Sequence, residues 1–162
     1  AEDCIRLSEK KTASLFAVTC STPTLLHNEK FKQPLFDFGM GMGTAFQLVD
    51  DVIDLTEDEE TLGKPCCGDI AEGKTTLPII YMKEAMNVKD RAHFESLFGQ
   101  YVAPEEQISV REQIESSGSL DRVNTLCREF IDTTREALSQ LPPGHYVDVM
   151  RGIAEFVLIR HS

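Results

Sequence analysis

The segment Phe46-Gln-Leu-Val-Asp-Asp-Val-Ile-Asp54 sets Gln47, Asp50, Asp51 and Asp54 at i, i+3, i+4 and i+7. A helix of about 3.6 residues per turn gathers that spacing onto one side. Phe46, Val49, Val52 and Ile53 take the other side. Carboxylates this close repel, and like charges at i, i+4 cost a helix about 0.2–0.5 kcal/mol per pair. A cation would relieve the repulsion. Hard oxygen ligands without imidazole or thiolate favour Mg²⁺, which keeps several waters and takes one or two carboxylates together with substrate phosphate. A solvated acidic face is the other reading of the same spacing. An EF-hand is set aside, because DDVIDLTEDEET lacks the alternating oxygen ligands and the central glycine of that loop. Glu57, Asp58, Glu59 and Glu60 read as solvated loop charge.

Lys11 in KKTASLF, Lys64 in LGKPCCGD and Lys74 in EGKTTLP stand in distinctive surroundings, the last two directly after a glycine. Glycine lets a backbone approach an anion closely, and an ammonium group offers a point charge to phosphate oxygens. Each alone also reads as a surface lysine. Gly73-Lys74-Thr75 imitates the end of a P-loop, but the G-x-x-x-x-G-K-[ST] spacing is absent. Together the two sets could bind a Mg²⁺-diphosphate complex from both sides of one cleft, carboxylates on the metal and lysines on the oxygens.

These residues need rigid elements behind them, and helical periodicity supplies all of them. The pattern predicts helices over about 3–19, 34 to 55 or 57, 77–86, 90–98, 104–116, 120–141 and 145–159, with a 15-residue loop at Thr61–Thr75 that holds four Gly or Pro residues. In the first helix, Ile5, Ser8, Thr12, Leu15, Phe16 and Thr19 are expected along one side. Val123, Cys127, Phe130, Ile131, Thr134 and Leu138 mark a face of the sixth, and Val149, Met150, Ile153, Phe156 and Val157 mark the last. No repeat or linker interrupts the 162 residues, so a single all-α domain over 1–162 is expected. The longest uncharged stretch, Thr12–Asn28, has 17 residues including Pro23, short of the roughly 20 apolar residues a membrane span needs.

The chain is 41% hydrophobic and 27% charged, which fits a globular domain rather than a disordered one. Of its net charge of −11, residues 31–74 carry −7, ten acids against three lysines. Acidity so concentrated repels nucleic acid and anionic lipid. Five cysteines without a C-x-x-C pair, and acids at the N-terminus in place of a leader pattern, point to a reducing cytoplasmic setting. The four histidines show no metal-ligand spacing.

The succession KKTASLF, GMGMGTAFQLVDDVIDL, LGKP and GDIAEGKTTLP, with IAEFVLIR near the end, resembles the C-terminal half of the trans-isoprenyl (polyprenyl) diphosphate synthases. The GKP and GKTTLP forms are closest to the geranylgeranyl and longer-chain synthases. The resemblance implies the isoprenoid synthase fold, a helical bundle, and condensation of an allylic diphosphate with isopentenyl diphosphate. In that reaction Mg²⁺ assists departure of the allylic diphosphate, the isopentenyl double bond attacks the resulting cation, and a proton is lost. The protein's task is to neutralise the leaving group, stabilise positive charge and exclude water. By position, Asp50, Asp51 and Asp54 correspond to the second aspartate-rich motif and would ligate Mg²⁺, Asp50 directly and Asp54 through water. Lys11 and Lys64 would contact the allylic diphosphate. Gln47 and Thr12 would lie beside the allylic chain, and Lys74 would neutralise the aspartates or reach a metal-bound water.

Two departures accompany the resemblance. Cys67 stands where many relatives have glycine in the GKPxGxD loop, and Cys66 and Cys67 otherwise read as inert. The first aspartate-rich motif and the basic residues for isopentenyl diphosphate have no counterpart in the sequence. The chain is therefore expected to be half of a longer synthase, inactive by itself, whose whole form is a homodimer. A non-catalytic partner subunit of a heteromeric synthase is the alternative, and a helical interaction module with a merely solubilising acidic patch is a third reading.

Overall fold

A computed structural model describes residues 1–63 and 65–160. The first helical run is α1 (Glu2–Ser8), a π-helical turn at Glu9–Ala13, and α2 (Ser14–Ser21). Then come α3 (Thr24–His27), a 3₁₀ turn (Glu29–Phe31), α4 (Lys32–Thr56), α5 (Glu59–Leu62), α6 (Gly68–Ala71), α7 (Leu77–Ala85) and α8 (Val88–Glu95). The chain ends with α9 (Pro104–Ser116), α10 (Ser119–Ser139) and α11 (His145–Ile159). Among the described residues there is no strand, so the fold is all-α. Among the same residues no helix is long and apolar enough to cross a membrane.

Residues group into two compact units, Asp50–Val123 in one and Glu2–Val49 with Asn124 onward in the other. Helix α4 runs from the second unit into the first at Asp50, and α10 returns at Asn124. In the 50–123 unit the core is Leu55, Cys66, Cys67, Ile70, Ile79, Met82, Phe94, Val102, Val110 and Ile114. Phe94 meets Phe98 edge-on at 5.3 Å between ring centres, a favoured aromatic geometry.

In the other unit, α4 and the first helical run approach backbone to backbone. A Cβ at Gly39 would stand 2.5 Å from Ala17 Cα, and one at Gly43 would stand 2.6 Å from Ala13 Cα. Gly41 points the other way, where a Cβ would lie 2.8 Å from the Phe130 carbonyl oxygen on α10. The alternating glycines of GMGMG thus serve two neighbours at once. This contact also revises the expected face of the first helix. The buried positions are Ser8, Ala13, Ala17 and Ser21, while Leu15 and Val18 are exposed, because only small side chains fit against backbone at such range. On α11 Ala154 and Val157 are buried, but Val149, Ile153 and Phe156 are exposed, so the expected apolar face is only partly the inward one. The face expected on α10 holds, with Val123, Cys127, Ile131, Thr134 and Leu138 buried.

Helix α4 begins two residues before Pro34, after the 3₁₀ turn. Asn28 starts that turn, its side-chain oxygen accepting from Lys30 N–H at 3.1 Å. Pro34 falls in the first turn of α4, where a missing N–H leaves no helical bond unmade. The expected loop at Thr61–Thr75 contains α6, and α5 ends within it. These one-turn helices carry no periodic signal; α6 is held at its start by Asp54 of α4, which accepts the Cys67 and Asp69 N–H groups, and further on by Gly99, whose N–H donates to the Ile70 carbonyl.

Candidate functional site

The π turn at Glu9–Ala13 contains both Lys11 and Thr12. A π turn inserts an extra residue into the helical repeat, so the side chains beyond it are rotated relative to those before it. Here it directs Thr12 at α4, and the Thr12 hydroxyl donates to Oε1 of Gln47 at 2.7 Å. The close approach at Gly43 lets so short a side chain reach. The sequence-predicted pair Thr12 and Gln47 is therefore brought together. Lys11, on the same turn, is exposed. Beside Gln47, Phe46 packs on Phe16 with ring centres 5.6 Å apart, and the Arg160 guanidinium lies 4.6 Å over the Phe46 ring, a cation–π distance. Nothing in the spacing of Phe16, Phe46 and Arg160 announces this cluster.

In the 50–123 unit the three aspartates differ in burial. Asp50 is half-buried, Asp51 is 9% exposed and Asp54 is 4% exposed. Asp54 also closes the end of its helix. The last carbonyls of a helix have no partner within it, and here the Asp54 carbonyl accepts the Cys67 N–H at 2.8 Å. The Asp54 carboxylate accepts the Asp69 N–H at 3.0 Å. Gly68 lies between these two donors, and a Cβ on it would approach Asp54 Oδ1 to 3.3 Å.

Asp69 passes the connection onward. Its carbonyl accepts the Lys74 N–H at 2.8 Å, and its carboxylate accepts Lys74 Nζ at 3.2 Å. Glu72 is a second partner of the same ammonium. Hydrogen bonds to Glu72 and then to Asp69 raise the Lys74 pKa above its ordinary value. Lys74 is thus linked to the aspartate helix through Asp69. Sequence reasoning assigns Asp69 no role, although the GKPxGxD pattern contains it. Lys64 lies outside the described residues.

Cys67 is the one described non-glycine residue with a left-handed backbone, at φ 57°. Burial pushes its thiol up to about 12 and also raises that of Cys66, which suits chemically quiet side chains. Of the acids after the motif, Asp58 is solvated as expected but also caps α5, accepting the Thr61 N–H at 2.8 Å. Among the described residues no group of three or more His, Cys, Asp or Glu side chains is arranged to hold a metal ion. The aspartates are spread along helix α4, so they form no ready-made cage.

A family model described as polyprenyl synthetase matches residues 1–115. The chain belongs to the polyprenyl synthetase family. This member is 32% identical over 163 residues to a short chain isoprenyl diphosphate synthase of Methanothermobacter thermautotrophicus, covering 98% of this chain and 49% of that protein. It is 28% identical over 155 residues to heptaprenyl diphosphate synthase component 2 of Bacillus subtilis, covering 94% of this chain and 44% of that one. Among solved structures it is similar to a polyprenyl synthase from Caulobacter crescentus complexed with calcium and isoprenyl diphosphate. There the TM-score is 0.89 and the identity 29%, over 98% of this chain and 49% of the other. The chain spans about half the length of the curated relatives it matches. The polyprenyl synthetase resemblance read from the motifs, and the helical fold it implied, are both borne out.

Proposed function

We propose that this chain supplies the second aspartate-rich half of a prenyltransferase that joins an allylic diphosphate to isopentenyl diphosphate. One observation carries the reading. Within the stretch matched by the family model, α4 bears the aspartates at helical spacing, and Thr12 is held on Gln47 one turn ahead of them. The donor set fits a hard divalent cation. The aspartates bring carboxylate oxygens without imidazole, and the burial of Asp51 and Asp54 leaves Asp50 the most open of the three. Mg²⁺ characteristically takes one or two carboxylates and completes its shell with water and substrate phosphate. When bound it would neutralise charge on the departing diphosphate.

The remaining chemistry belongs to side chains of this chain. Lys11 and Lys64 would meet phosphate oxygens as point charges. The Gln47 amide oxygen, which accepts from Thr12, would face positive charge developing on the allylic chain. Lys74, paired with Glu72 and Asp69, would offset the acidity around the motif. The Caulobacter polyprenyl synthase is a complex with calcium and isoprenyl diphosphate, which supports this substrate and ion class.

A second reading has its own support. The Bacillus subtilis relative is named as a component, which favours a subunit that acts with a partner, in a heteromer rather than a homodimer.

Titration calorimetry with inorganic diphosphate tests the proposal. Binding is expected with Mg²⁺ and not without it, and Asp50→Asn is expected to weaken it by more than about tenfold, the scale of a lost charged ligand. Diphosphate binding that ignores both Mg²⁺ and Asp50 would refute the reading.

A further inference from the structure

Asp54 already holds two backbone N–H groups of the turn that follows α4. Its carbonyl accepts the Cys67 N–H at 2.8 Å and its carboxylate accepts the Asp69 N–H at 3.0 Å. Gly68 packs on the same carboxylate, a Cβ there reaching 3.3 Å from Oδ1 and 3.9 Å from Oδ2. Only 4% of Asp54 is exposed. A Mg²⁺ ion demands a near-octahedral shell and gives up its waters reluctantly. A carboxylate pressed against glycine and bonded to a backbone amide has little room for such an ion.

The same contacts give Asp54 a different task. Residues 67–69 hang from it by one backbone and one side-chain bond, and Asp69 then holds Lys74 through both its carbonyl and its carboxylate. The three residues form a relay, Asp54 to Asp69 to Lys74, that begins on the aspartate helix and ends on a cation.

We propose that Asp54 is a positioning residue rather than a metal ligand. It anchors the turn at 67–69 to the end of α4, so that Asp69 orients Lys74, and the Mg²⁺-diphosphate complex falls to Asp50, the most open of the three aspartates. The part of this that concerns Mg²⁺-diphosphate rests on the function proposed above; the anchoring rests on the hydrogen bonds alone.

The chemistry of asparagine separates the two roles. Asparagine keeps a carbonyl oxygen that can accept the Asp69 N–H but loses the negative charge a hard cation needs. Alanine keeps neither. Amide hydrogen exchange by NMR, on the wild-type chain, Asp54→Asn and Asp54→Ala, reads the anchor. The Asp69 amide is expected to exchange about tenfold or more faster in D54A and to stay within about threefold of wild type in D54N, as local opening would dictate. Calorimetry with Mg²⁺ and inorganic diphosphate reads the metal role. D54N is expected to bind within about threefold of wild type, while Asp50→Asn loses more than about tenfold.

An unchanged Asp69 amide in D54A overturns the proposal, and so does a D54N chain that loses binding as D50N does. A D54A chain that fails to fold while D54N folds supports the need for an acceptor. If the wild-type chain binds no Mg²⁺-diphosphate, the functional reading falls by itself, and the exchange result still decides whether Asp54 is the anchor.

Discussion

Substituting Cys67 separates backbone strain from packing in the turn next to Asp54. Cys67 sits at φ 57° and ψ 28°, where an L side chain costs about 1–2 kcal/mol, and its side chain is fully buried. Consider alanine and glycine at this position. At an ordinary buried position, glycine falls below alanine by about 0.8 kcal/mol for the lost methyl and about 0.5–1 kcal/mol for the more flexible unfolded chain. The sum is about 1.5 kcal/mol. At φ 57° the left-handed penalty acts on alanine and not on glycine, and it is of the same size and opposite sign. Cys67→Gly is therefore expected to match Cys67→Ala within about 0.5 kcal/mol, or to exceed it, although it removes more atoms.

Urea unfolding followed by circular dichroism measures the difference. With a slope of about 2 kcal/mol per molar urea, a gap of about 1.5 kcal/mol would separate the two midpoints by roughly 0.7 M, whereas the strain argument expects near-coincident midpoints. A C67G midpoint lower than that of C67A by about 0.7 M or more would refute the claim that the turn is strained. The outcome also bears on the departure from the family pattern. The left-handed geometry at Cys67 gives a physical reason for glycine at the matching position of the GKPxGxD pattern.

Gly43→Ala should lower stability by about 1–3 kcal/mol in the same assay, because its Cβ would meet Ala13 Cα at 2.6 Å and a backbone atom cannot turn aside; unaltered stability would show that the contact is looser than this geometry implies. The same variant should abolish the energetic coupling between Thr12→Val and Gln47→Leu in a double-mutant cycle, since their bond depends on that approach. Cys67 should resist iodoacetamide in the folded chain. With a thiol at about 12 against an ordinary 9.0, its thiolate fraction at pH 9 is roughly one in a thousand. The sign for stability follows. Between pH 9 and 12 the unfolded chain releases this proton and the folded chain keeps it, so stability falls as pH rises, by at most about 1.4 kcal/mol per pH unit. Below about pH 8 this thiol contributes almost no pH dependence, and rapid labelling of Cys67 at about pH 8 would contradict its burial.

The elements most legible in the sequence are those whose own residues dictate them. Helix α11 runs from His145 to Ile159 and α9 from Pro104 to Ser116, the bounds that the helical pattern predicts. Helix α6 is not legible, because the contacts that hold it, from Asp54 and from Gly99, come from residues distant along the chain. The π turn is not legible either. It shifts register by one residue, and no residue type encodes that shift. The buried face of the first helical run escapes sequence reasoning for a related cause. Counting apolar side chains selects Leu15, whereas the true contact is glycine against Ala13 and Ala17, a surface that hydrophobicity barely registers.

The candidate site divides along the same line. Asp50, Asp51, Asp54, Gln47, Lys11, Lys64 and Lys74 stand out because hard-cation and phosphate chemistry requires those side-chain types, and helix geometry fixes the spacing of those on α4. Spacing does not say which of them faces a ligand and which supports another. Asp54 meets every sequence criterion that Asp50 meets, yet the structure gives its carboxylate to the Asp69 N–H and its carbonyl to the Cys67 N–H. Conversely, Asp69 carries no helical signature, yet it holds Lys74. A regular D-D-x-x-D repeat thus contains residues whose surroundings differ, and those surroundings come from the turn at 67–69, beyond the motif itself.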